Sequence, residues 1–139
     1  MSKNLFKQGS VLFVIGIIVG AFYREFTKFT GFEGATSMSL VHTHRIVTGA
    51  LVAIIFSIFL KVYDIEETRR LKTGWLLYLI GVIGNASILF LRGTLTILDI
   101  SISNSISMSI SGIAGIIHIS LTVGIILFLV TLNRQFKSK

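Results

Sequence analysis

Two histidines one residue apart, His42 and His44, are followed at once by Arg45 at the start of an apolar run ending near Val62. The third histidine of the chain, His118, stands inside another apolar run. An ionisable side chain within a stretch of this kind is costly in lipid, faces a partner, and is read as functional by default. Neutral imidazole ligates zinc, copper or heme iron. A catalytic zinc wants three histidines, or two and a carboxylate, around one point. Glu25, Glu33 and Asp99 are the carboxylates at the same end of the chain's spans, and none has a ligand spacing to a histidine. Heme asks only for one or two axial histidines from facing helices and an apolar slot. The alternatives are a non-heme copper or zinc site, or a structural or assembly protein whose histidines only form hydrogen bonds.

The elements that must position these groups follow from composition. The chain has 139 residues, 53% of them hydrophobic, and a mean hydropathy of +0.85, too apolar for an ordinary soluble domain of this size. It has no cysteine, which excludes disulfides, thiolate metal sites and Cys-attached heme. The net charge of +7 is carried at the flanks of apolar spans, where it marks membrane orientation rather than a nucleic-acid face. Four apolar segments, about 5–22, 40–62, 73–91 and 113–132, each have roughly the 17–25 residues that cross a bilayer. The expectation is a single all-α domain, an integral membrane four-helix bundle. The first segment is read as a retained helix, because Phe22-Tyr23-Arg24-Glu25-Phe26 follows it in place of a small-residue cleavage site.

Nine of the thirteen basic residues (Lys3, Lys7, Lys61, Arg69, Arg70, Lys72, Arg134, Lys137 and Lys139) fall on one side. The positive-inside rule therefore predicts cytoplasmic termini and outward-facing 24–39 and 93–111 connections. All three histidines then lie in the outer leaflet at comparable height. Arg45, Arg92, Arg24 and Tyr23 fall at the same outer level, where arginines suit the two propionates of a heme. Phe22, Phe26 and Phe29 with interleaved charges predict a short extension of helix 1, broken at Gly31. The alternation of Ile or Met with Ser over 100–112 is read as a loop leading into an early, polar start of helix 4, since a lone strand would leave its backbone unpaired.

Glycines form stripes. Gly16 and Gly20 make a small-xxx-small pair suited to close helix packing, within the bundle or between subunits. Ser111, Gly115, His118 and Thr122 share one face of helix 4, which serves either close helix packing or clearance for a flat macrocycle beside the histidine. On a regular helix His42 and His44 are about 200° apart, so only one of them faces an interior site, and the residues alone do not choose between them.

Phe22-Tyr23-Arg24-Glu25-Phe26-Thr27-Lys28-Phe29 with Val41-His42-Thr43-His44 and Gly49 resembles a family of small bacterial four-helix membrane proteins over essentially the whole chain. The His-x-His-x-x-x-x-Gly pattern is also similar to the heme–copper oxidase subunit I superfamily. That resemblance implies heme b, His44 or His42 as one axial ligand with emphasis on His44, and His118 as the opposite one. It implies a redox partner or a diatomic gas as the interacting species, and the bacterial plasma membrane as the location. The three four-helix arcs of the oxidase subunit suggest a homotrimer for a four-helix relative; a dimer is the commoner closed assembly. The chain lacks the further histidines of a copper centre beside the heme, so oxygen reduction is not expected.

Overall fold

The computed structural model describes residues 1–137; Lys139, counted above among the basic residues, lies outside them. Four helices make up the described chain: α1 (Ser2–Thr30), α2 (Ser39–Val62), α3 (Arg69–Ile97) and α4 (Asn104–Lys137). Each is long and apolar enough to cross a membrane, and no strand occurs among the described residues. α1, α3 and α4 outrun their apolar segments at both ends, while α2 keeps to its own. The aromatic extension of α1 is helical to Thr30 and stops at Gly31, whose φ of 65° lies in the left-handed region. Phe32 N–H closes the turn on Thr27 O at 3.0 Å, the Schellman arrangement that glycine permits at little cost. The alternating serine segment is indeed helical from Asn104. At the start of α3, Thr68 accepts from Leu71 N–H at 3.2 Å, an N-cap.

The short 63–68 connection is tied to both chain ends. Glu67 pairs with the Met1 ammonium group and lies 3.4 Å from Lys72 Nζ. Glu66 and Gln135 exchange two hydrogen bonds, at 2.8 and 3.0 Å. Both ends of the described chain and this loop therefore share one end of the molecule, as four antiparallel spans require.

Glycines set the seams. On α1, Gly9 faces Ala50, Ala53 and Ile54; Gly16 faces Arg45 and Ile46; and Gly20 faces His42. The Gly16–Gly20 pair thus packs inside the protomer against α2, the first of the two readings open to it in the sequence. On the other side of the molecule, Gly74, Gly81 and Gly84 of α3 receive α4. A Cβ at Gly81 would collide with Leu121, and one at Gly124 with the backbone of Tyr78. The main core lies towards the end that holds the chain termini, where Phe56 stacks on Phe128 with ring centroids 4.3 Å apart among Leu5, Leu71, Trp75, Tyr78 and Leu132. A smaller core at the other end joins Met38, Val41, Ala86 and Ile97 to Tyr23 and Phe26.

The arrangement departs from a closed bundle. α4 lies along α3 and reaches α2 through Phe128, so only 11% of its most apolar window is buried, against 39% for α3. The cause is the position of the glycines: those on α3 and Gly124 draw α4 onto one neighbour, while Gly112 and Gly115 face open space.

Candidate cofactor site

The histidine stretch is not a regular helix. Ser39–Thr43 is α-helical, but His44–Leu51 is π-helical before α geometry resumes at Val52. Such wide turns are rare and concentrate at functional sites. Neighbouring groups brace this one. Thr48 Oγ1 donates back to His44 O at 2.5 Å, Tyr78 Oη donates to Thr48 O at 2.6 Å, and Gly49 lets Leu12 and Val82 close in.

His44 and His118 share one feature. His44 Nδ1 lies 3.1 Å from Leu40 O, and His118 Nδ1 lies 2.9 Å from Ala114 O. A carbonyl only accepts, so Nδ1 carries the proton in each ring and Nε2 holds the lone pair. Each histidine is thereby set in the tautomer that ligates through Nε2, oriented by its own helix. His118 is exposed, with the open space at Gly115 one turn before it. His42 differs. Its ring lies against Gly20, its Nε2 is 3.3 Å from Thr43 Oγ1, and its Nδ1 is buried without a hydrogen-bond partner.

The heights are close but unequal. Ile117 lies opposite Gly84, and Val82 lies opposite Gly49. Counting along the helices places His118 roughly 6 Å deeper than His44 and roughly 9 Å deeper than His42. Laterally, α2 and α4 occupy different sides of α3, and no group of three or more His, Asp or Glu side chains converges among the described residues. The protomer therefore offers separate imidazoles rather than one multi-ligand cage.

The arginines do not share one level. Arg24 is 82% exposed beside Glu25, a surface pair of little energetic weight. Tyr23 packs into the smaller core. Arg92 donates to Ser111 Oγ at 2.6 Å, which brings its guanidinium onto the α4 stripe that carries His118. Arg45 is the displaced one. It lies against Gly16, midway along α1, and enters a groove between α1 and α3. Its Nε is buried without a partner. The sequence reading put it at the outer level with Arg24; the helix pairing sets it opposite Gly16, about two turns deeper, and between His44 and His118 in depth. That groove also draws in Lys7, which the sequence reading took only as a flanking charge, and Asn4 and Gln8, which it passed over. Their signal was polar residues in the opening turns of an otherwise apolar helix.

No curated protein and no solved structure matches the chain. Residues 2–135 match one family along nearly the entire length, and the chain belongs to that family, described as Protein of unknown function (DUF2871).

Proposed function

We propose that this chain is a multi-pass protein of the bacterial plasma membrane, with cytoplasmic termini, that holds heme b through axial histidines for electron transfer or diatomic-gas binding. The observation that carries the reading is the Nδ1–carbonyl pairing of His44 and His118, which leaves each Nε2 lone pair ready to ligate. The residues around His118 suit the group. A Cβ at Gly112 or Gly115 would meet nothing within 4 Å, the clearance a macrocycle needs. Arg92, reaching Ser111 on the same stripe, is the cation best placed for a propionate. Bound heme would supply a one-electron couple with two imidazoles, or a ligand-binding position with one.

The absorbance spectrum of the purified protein, expressed with heme available, tests the reading. A Soret band is expected. Metal in elemental analysis without colour would transfer the site to copper or zinc, and neither signal would leave a structural or assembly role.

The membrane orientation has its own test. Cysteines placed at the exposed positions Ala35 and Ser105 label from outside intact cells with a membrane-impermeant maleimide, and one at Glu66 does not. The reverse pattern would overturn the orientation and put the histidines in the inner half. We further propose that the exposed His118 face of α4 is covered by another copy in a homo-oligomer, a trimer or a dimer. Native mass measurement in lipid decides this, and a monomer would exclude it.

A further inference from the structure

Arg45 occupies a place where a bare cation is expensive. Its side chain lines a groove of about 470 Å³ between α1 and α3, at the level of Gly16, inside the apolar part of α1. Nε is buried and has no hydrogen-bond partner. The chain's six acidic residues, Glu25, Glu33, Asp64, Glu66, Glu67 and Asp99, all lie at helix ends or in connections. No side chain of the protomer can neutralise Arg45 there, yet an ionisable group in a span wants a partner. The partner must come from outside the chain.

The groove describes its chemistry. Arg45 supplies donors at one end. Lys7 and Gln8 supply them at the other, and Val11, Ile15 and Ile83 form apolar wall between. Gln8 accepts from Trp75 Nε1 at 2.8 Å through its Oε1, so its amide nitrogen is left to donate. A phosphate or carboxylate headgroup would have to shed its hydration shell to enter this apolar groove. A neutral ring with carbonyl oxygens on opposite edges arrives from lipid without that cost and accepts from both ends. The volume lies in the range of small-molecule sites. We propose that this groove binds the ring of a lipid-soluble para-dione, the chemistry of isoprenoid quinones, with Arg45 donating to one carbonyl oxygen and Gln8 or Lys7 to the other. The site uses none of the histidines and stands apart from the heme reading.

The protein carries its own reporter, since Trp75 is the single tryptophan and is bonded to a residue of the groove. Quinones quench indole fluorescence at contact. The full chain in phosphatidylcholine nanodiscs, titrated with 2-methyl-1,4-naphthoquinone, should show saturable quenching. Arg45→Met should weaken the apparent affinity about tenfold or more, the usual weight of a hydrogen bond to a charged group. Ile83→Phe, which narrows the groove and leaves Arg45 in place, should weaken it as well, so the test survives if Arg45→Met does not fold. Quenching that rises linearly and equally in all three proteins means partition into lipid and overturns the proposal. Equal saturable affinity in all three places the ring elsewhere and overturns it too. So does failure of the naphthoquinone to bind where oleate or phosphatidylglycerol, added as competitor, alters Trp75 emission in an Arg45-dependent way, because the occupant is then an anion. A His44→Ala, His118→Ala double variant should keep the affinity, which separates failure of this site from failure of the heme reading.

Discussion

Replacing His118 by alanine should remove the Soret absorbance of the purified protein and leave its thermal stability near that of the parent. The ring is exposed and bonds only to the carbonyl of its own helix one turn earlier. No core cavity opens when it is removed, so the usual source of large destabilisation is absent. What disappears is the Nε2 lone pair. His44→Ala should act in the same way, whereas His42→Ala should retain the spectrum, because that ring is packed on Gly20 in the seam between α1 and α2. Loss of the band on His42→Ala alone would mean that the ligand lies on the other face of α2. If no histidine variant changes the band, the axial assignment fails.

The largest effect on stability is expected at Gly124. A Cβ there runs into the backbone of Tyr78, and on the facing helix a Cβ added at Gly74 would come within 2.9 Å of Phe128 N. Overpacking ordinarily costs about 1–3 kcal/mol where neighbours can yield. Here the neighbour is main chain on a facing helix, so Gly124→Ala should sit at the top of that range and Gly124→Leu should part α4 from α3. A thermal melt in detergent should show Gly124→Ala falling by about 5 °C or more, while Gly115→Ala, on the open face, melts with the parent. Equal melting of the two variants would mean that α4 does not lie on α3 along Gly124.

Much of this was legible in residue order. Apolar runs of spanning length announced four helices, the phenylalanines at 22, 26 and 29 announced the extension of α1, and Gly31 announced its end. The serine-rich start of α4 followed from the cost of an unpaired strand. Two things were not legible. Residue type carries no mark of a π turn, and residue order alone does not give the register that sets Arg45 opposite Gly16, about two turns below Arg24. Small residues also permit close packing without naming the partner. Gly16 and Gly20 were equally compatible with a neighbouring subunit, and only the register of α2 shows them filled by Arg45, Ile46 and His42. The open side of α4 is a further case: the stripe Ser111–Gly115–His118 was visible as a face, but not as one left uncovered by the rest of the chain.

The wide turn that opens at His44 has a mechanical meaning. His44 and Arg45 are consecutive residues, one outside the groove between α1 and α3 and the other within it, and they open the segment that holds the slack. Were that segment to tighten by one residue, everything before it would swing by about 100° relative to Val52–Val62. The imidazole and the guanidinium are two spokes on one hub. Whatever seats either of them fixes the angle of the other.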